Sequence, residues 1–237
     1  MQIQKKQFDD YDYNLNADKW WNEDTNLHAL YYFNKPRFDF FDSYVPNWQG
    51  LKALDVGCGG GFTCELMANR GVIVSGIDPS LNSIQVAQEH ASKSGLKIDY
   101  KHGFAEDLPY DDNSFDIVTC VDVLEHVADL NKVISEINRV LKTNGLFFFD
   151  TINRNFKSRV IMIWLLENIT KDIDRGVHNW RKFIKPKELL GLLKTNGFTD
   201  VAIKGFNFKG RDKKTGEIRV RVDEDTSVMY IGKALKA

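Results

Sequence analysis

Between residues 51 and 151, short apolar runs alternate with segments whose apolar positions recur every three or four residues. The runs fall at 51 to 56, 72 to 77, 98 to 102, 115 to 121 and 145 to 151. Strands separated by helices in this rhythm predict a parallel sheet covered on both faces. Ahead of it, residues 17 to 42 carry Trp20, Trp21, Leu27, Leu30, Tyr31, Phe38 and Phe41 on apolar faces and read as helix interrupted at Pro36, a candidate lid. Behind it, residues 157 to 170 read as a helix around the dense run Val160-Ile-Met-Ile-Trp-Leu-Leu166. A short segment Lys182-Phe-Ile-Lys185 stops at Pro186, and a helix over 188 to 195 is closed by Asn196-Gly197. Residues 201 to 208 and 227 to 234 read as two final strands joined by a polar connection, an antiparallel hairpin. The pattern predicts a single α/β domain spanning 1 to 237. Its parts are a helical lid to residue 50, a ligand-binding core over 51 to 151, a helical cap over 152 to 197 and the hairpin from 198.

Composition narrows the function classes. At 237 residues with 43% hydrophobic content, the chain buries a substantial core. Lys and Arg number 32 against 33 for Asp and Glu, so no global field recruits nucleic acid. Cys58, Cys64 and Cys120 are odd in number and lack metal-finger spacing, as expected of reduced thiols in a cytoplasmic protein. Met1-Gln-Ile-Gln-Lys-Lys-Gln has no apolar core behind its charges, and no stretch approaches the roughly 18 apolar residues of a spanning helix. The expectation is a protein neither secreted nor integral to a membrane.

The candidate chemistry begins at Leu51-Lys-Ala-Leu-Asp-Val-Gly-Cys-Gly-Gly-Gly61, followed by Val72-Ile-Val-Ser-Gly-Ile-Asp78. Two parallel strands flank a loop in which Gly57, Gly59 and Gly61 leave room for a ligand to approach the backbone. Asp78, at the end of the second strand, stands where such folds place a ribose-binding acid. A dinucleotide reading fails in detail, because G-C-G-G-G-F has no small residue at its sixth position for close helix packing over a pyrophosphate. Asp55, immediately before the loop, would repel a phosphate but suits a ligand carrying an ammonium, such as the methionyl end of S-adenosylmethionine. Gly57, Asp78, Ala105 and Val121 all fall at the carboxyl ends of predicted strands, where open sheets bind ligands.

D-V-G-C-G-G-G at 55 to 61 resembles the cofactor motif of class I S-adenosylmethionine-dependent methyltransferases. The surrounding chain resembles the ubiquinone-biosynthesis O-methyltransferases. Those matches are Trp20-Trp21, Arg37 in Asn34-Lys-Pro-Arg37, Val118-Thr-Cys-Val-Asp-Val-Leu-Glu-His126, Asn153-Arg-Asn155, Lys182-Phe-Ile-Lys-Pro-Lys187 and Val228-Met-Tyr230. The resemblance implies a Rossmann-like, mostly parallel sheet with an antiparallel carboxyl-terminal edge. It implies that the adenine rests near Ala105 and an acid such as Glu106, and that Arg37 contacts the cofactor, its partner being the methionyl carboxylate.

Asp122, Glu125 and His126 stand just beyond the fourth strand, and a helical turn there would gather all three on one face. Two carboxylates and an imidazole suit a hard divalent cation that binds adjacent phenolic oxygens. Alternatively, His126, with Glu125 beside it, serves directly as a general base. In the family the corresponding triplet begins with glutamate and is associated with Mg2+; this chain has Asp122 there. Capping or salt-bridging the next helix is the structural alternative. The run from Val160 to Leu166 has Lys157, Arg159, Lys171, Arg175, Arg181 and Lys182 around it, the composition of an interfacial helix on anionic lipid or of a buried core helix.

The reading is methyl transfer from S-adenosylmethionine to a phenolic oxygen of a quinol-type acceptor by a cytoplasmic enzyme, peripheral on the inner face of the membrane. The alternatives are the same fold acting on another small molecule at oxygen or nitrogen, a noncatalytic S-adenosylmethionine binder, and a dinucleotide-dependent oxidoreductase.

Overall fold

The computed structural model describes residues 12–170, 173–211 and 218–237. The amino-terminal segment Met1 to Gln7 and Lys171 therefore lie outside the described residues. Among the described residues, eight strands form one sheet in the order β3-β2-β1-β4-β5-β8-β6-β7. The first five are β1 (Lys52–Val56), β2 (Ile73–Asp78), β3 (Asp99–His102), β4 (Phe115–Cys120) and β5 (Leu141–Ile152), and they pair in parallel. The antiparallel edge consists of β6 (Phe198–Arg211), β7 (Ile218–Asp223) and β8 (Met229–Lys236), with β8 inserted between β5 and β6.

The helices are α1 (Asn34–Asp42), α2 (Phe62–Ala68), α3 (Leu81–Lys93), α4 (Leu130–Val140), the single turn α5 (Phe156–Ser158) and α6 (Pro186–Thr195). Strand alternation divides the core between the two faces. Phe147 and Phe149 of β5 pack with Val133, Ile134 and Ile137 of α4 and Leu189 and Leu193 of α6, while Phe148 points to the opposite side with Phe41 of α1. Helix starts are fixed locally. Ser80 and Asp129 cap α3 and α4 by accepting backbone N–H bonds from Ser83 and Lys132.

Three elements differ from the sequence-based expectation. The lid is not one interrupted helix. Two short 3-10 turns, Ala17–Lys19 and His28–Phe33, lead into α1, and Pro36 falls in the first turn of that helix, where its missing N–H is not needed. The segment beyond β5 is capped at Asn155, makes one α-turn and continues as a π-helical stretch, Arg159–Thr170. The polar connection before the last strand holds β7, where Val220 and Val222 are half-buried between exposed Arg219 and Arg221. That is strand alternation in a run short enough to read as polar loop.

The topology sets the site. β1 has β2 on one side and β4 on the other, so the chain leaves β1 where the strand order reverses. Loops diverge there and open a crevice beyond the strand ends.

Phe148 is fully buried and lies 4.4 Å, centroid to centroid, from the ring of Phe41, joining α1 to β5. Phe148→Ala should lower unfolding stability by about 3 to 5 kcal/mol, read as a shifted midpoint in denaturant titration.

Candidate active site

The loop after β1 is held from beneath and covered from above. The N–H groups of Gly57 and Cys58 donate to the Ile77 carbonyl at 2.8 and 3.1 Å, tying it to β2. A Cβ on Gly57 would fall 2.3 Å from a Val123 methyl, and one on Gly59 or Gly60 would fall 2.4 Å from the Trp20 ring. The loop also turns through left-handed backbone, with φ of +74° at Gly57 and +92° at Gly61. Trp20 donates from its indole to the Ser83 hydroxyl at 3.0 Å, and Trp21 donates to the Gly60 carbonyl at 2.8 Å. The tryptophan pair of the lid thus lies directly over the glycine loop.

Both acids that bracket this loop are buried and hydrogen-bonded. Asp78 accepts the Gly59 N–H on Oδ2 and the Ser80 N–H on Oδ1, each at 2.8 Å. Burial pushes its carboxyl up to about 6 despite those bonds. Asp55 accepts the Thr119 hydroxyl at 2.6 Å and the Cys64 thiol at 3.5 Å, and burial pushes it up to about 7. A bound cationic group would supply the charge compensation these carboxylates lack.

Arg37 sits 2% exposed in an ion triplet. Its Nε donates to Asp150 Oδ2 at 2.5 Å, while Nη2 donates to Asp150 Oδ1 at 3.3 Å and to Asp122. Desolvation opposes the charge on the guanidinium, but the two aspartates outweigh it and hold its pKa above the usual value. Asp122 has a left-handed φ of 54°, and its N–H donates to Asp150 Oδ1 at 2.9 Å. The residues after it form a turn and no helix, so the expected shared face of Asp122, Glu125 and His126 does not exist. Asp122 faces Arg37 instead. Glu125 is buried and accepts the Thr151 hydroxyl at 2.7 Å. The donor atoms that do converge, all within 4.8 Å of one another, belong to Glu125, His126 and His178. As a cation set, Asp122-Glu125-His126 therefore does not fit this geometry, whereas Glu125-His126-His178 does.

One cavity of about 1890 Å³, including its open mouth, connects these groups. Of the residues singled out in the sequence, Arg37, Asp55, Gly57, Gly59, Asp78, Ala105, Glu106, Val121, Asp122 and His126 all line it. Gly61 does not; it sits against the Tyr100 hydroxyl, where a Cβ would fall 2.3 Å away, and starts α2. Glu125 lies behind the wall. Glu106 also accepts the Ala128 N–H at 2.9 Å, which couples the loop after β3 to the one after β4. Phe33, Ile152, Met162, Leu166, Phe208 and Met229 are among the apolar residues of the lining. Sequence reasoning missed Asp150, Thr151, Glu167 and His178. The first two continue a predicted strand with outwardly ordinary residues, and the last two meet the site only through the folding of the cap.

With its pKa raised above the unfolded value, Asp55 contributes stability that is complete below about pH 4 and lost as pH rises toward about 7. The cofactor-free protein should lose stability across that window, and Asp55→Asn should flatten the profile by on the order of 2 to 4 kcal/mol in chemical unfolding measured at pH 4 and pH 7.

Comparison with known proteins agrees with this geometry. Residues 54–149 match the methyltransferase domain family model. The chain is 39% identical over 193 residues to the ubiquinone biosynthesis O-methyltransferase of Idiomarina loihiensis, covering 81% of this chain and 79% of the relative. It is 36% identical over 230 residues to the protein of the same name from Pelagibacter ubique, covering 93% of each. In fold it resembles a SAM-dependent methyltransferase from Thermotoga maritima, with TM-score 0.67 at 19% identity over 94% of this chain and 95% of that one. A second, from Aquifex aeolicus, gives TM-score 0.65 at 16% identity over 96% and 100%. With these relatives 39% and 36% identical over 81% and 93% of its length, the chain belongs to the ubiquinone biosynthesis O-methyltransferase family of class I methyltransferases.

Proposed function

We propose that this S-adenosylmethionine-dependent enzyme methylates a phenolic oxygen of a quinol-type acceptor in ubiquinone-like biosynthesis. The observation that carries the reading is one cavity whose lining joins the glycine loop, Asp55 and Asp78 to apolar side chains and to His126 and His178. When bound, S-adenosylmethionine supplies an electrophilic methyl on a sulfonium. Its three ends suit the groups present. Asp78 accepts from the ribose hydroxyls, Ala105 and Glu106 flank the adenine, and Asp55 takes the ammonium side of the methionyl end. On Arg37 the aspartates occupy Nε and Nη2, which leaves Nη1 for the methionyl carboxylate.

What remains for the chain is positioning and proton removal. Trp20 and Trp21 keep water off the loop. Phe33, Ile152, Phe208 and Met229 enclose an apolar acceptor, and the His126 imidazole, with Glu125 behind it, takes the phenolic proton. In the alternative reading, a divalent cation such as Mg2+, which the family resemblance implies, would be held by Glu125 and His126, and the cation in place of the imidazole would lower the proton affinity of adjacent phenolic oxygens.

The greasy acceptor also gives meaning to the surface of the cap. Phe156, Trp164 and Ile169 are 78%, 61% and 53% exposed, with exposed Lys157, Arg159, Arg175 and Arg181 around them. Among the described residues no helix is long and apolar enough to cross a membrane. We propose that this face docks on anionic lipid at the inner side of the membrane, while Met162 and Leu166 of the same segment line the cavity.

Labelled S-adenosylmethionine offered with catechols, demethylated quinols and amines should yield an O-methylated catechol or quinol; exclusive N-methylation would overturn the acceptor reading. Glu125→Gln and His126→Ala should lower kcat by about 100-fold or more with S-adenosylhomocysteine affinity nearly unchanged. Asp78→Ala should instead weaken that affinity by about 10-fold or more in calorimetry.

Liposome cosedimentation tests the membrane face. Replacing Lys157, Arg159 and Arg181 by Glu should abolish binding to anionic vesicles at low salt, since each surface cation contributes about 1 kcal/mol. Activity on a tail-less catechol should persist. Failure of the unmodified protein to cosediment would discard the docking.

A further inference from the structure

The triplet that the family resemblance implies for a cation, Asp122, Glu125 and His126, is divided by the fold. Asp122 is spent on Arg37, whose other carboxylate partner is the fully buried Asp150. Withdrawing Asp122 toward a metal would strip a buried guanidinium of half its counter-charge, which is costly in a low-dielectric interior. A third donor comes from elsewhere. His178, in the loop preceding the 3-10 turn Trp180–Lys182, brings its imidazole to 5.8 Å from the ring of His126, centroid to centroid.

His178 is oriented from behind. Its Nδ1 lies 2.8 Å from Glu167 Oε1, and the side chains of the pair are 9% and 2% exposed. Glu167, on the π-helical stretch, also accepts the backbone N–H groups of Gly176 at 3.1 Å and His178 at 3.0 Å, so both the ring and the loop that carries it are fixed by one carboxylate. An imidazole held through Nδ1 by a buried carboxylate has Nε2 as its ligating nitrogen. This is the outer-shell arrangement that orients metal-binding histidines. Glu125 is steadied in the same way by Thr151 of β5. Two imidazoles and one carboxylate are also a different donor set from the oxygen-only surroundings that Mg2+ prefers.

We infer that the cation site of this chain consists of Glu125, His126 and His178, with Glu167 positioning His178, and that it takes a borderline divalent ion such as Mn2+ or Zn2+. Asp122 is no part of it. The inference rests on the proposed acceptor reading only for its use: His126 and His178 line the acceptor half of the cavity, so the ion's open positions would meet two adjacent oxygens of a catechol.

Mn2+ is the discriminating probe, because it binds oxygen-only and nitrogen-containing sites alike. Calorimetry on the full chain should show one Mn2+ per molecule, and pulsed electron paramagnetic resonance should show two directly bound imidazole nitrogens. His178→Asn should remove one nitrogen and weaken binding about 10- to 100-fold. Glu167→Gln should weaken it similarly while retaining both nitrogens. Asp122→Asn should stay within about threefold of the unmodified protein. The inference is overturned if the unmodified protein binds no Mn2+ or shows a single nitrogen, if His178→Asn binds normally, or if Asp122→Asn is the variant that loses the ion. Thermal unfolding followed by circular dichroism verifies that each variant is folded. Failure of the methyltransferase reading would appear separately, as absent transfer from labelled S-adenosylmethionine by the unmodified protein.

Discussion

The guanidinium of Arg37, enclosed by Asp122 and Asp150 and flanked by the rings of Phe33 and Phe206, is the interaction on which the site's geometry depends. It draws together three parts of the chain that are distant in sequence: α1, the end of β5 and the turn after β4. Burying one cation with one anion is seldom favourable by itself, since desolvation consumes the Coulombic gain. Here the second carboxylate, the hydrogen bond from the Asp122 backbone and the ring faces complete the surroundings of both charges. Asp122 has left-handed backbone and pairs with Arg37, while Glu125 and His126 fall in a separate cluster with His178.

Around this anchor the sheet and the lid share the work of making a pocket. The reversal of strand order at β1 opens the crevice, and the absence of side chains at Gly57, Gly59 and Gly60 allows Val123 and Trp20 to close on the loop from two sides. The acids below the loop are desolvated before any ligand arrives, which is why burial raises both Asp55 and Asp78. A site preorganised in this way has less to rearrange on binding, so more of the interaction energy is left for affinity and alignment.

The cap adds what the sheet lacks. The π-helical stretch Arg159–Thr170 places Met162 and Leu166 in the cavity wall, Glu167 behind His178, and Trp164 and Ile169 in solvent. π-Helical winding is rare and is found frequently at functional sites. In this chain the wider winding lets one segment serve the cavity wall, the histidine cluster and an exposed apolar face at once.

Much of this was legible from residue order. The alternation of apolar runs and helical periods determined the parallel sheet, because both periodicities are local properties of the backbone. The glycine loop with Asp55 and Asp78 was legible in the same way, because a tight turn between two strands brings those residues together whatever surrounds them. Strand β7 was written as Val220 and Val222 between arginines, but too briefly to stand out. The tertiary structure alone decided how Asp122 is used, since its partner Arg37 lies 85 residues away and the separate grouping of Glu125 and His126 depends on a turn where helix was expected. It alone brought His178 and Glu167 to Glu125 and His126. Side chains on separate elements meet through packing, and packing is a property of the whole chain that no local spacing encodes.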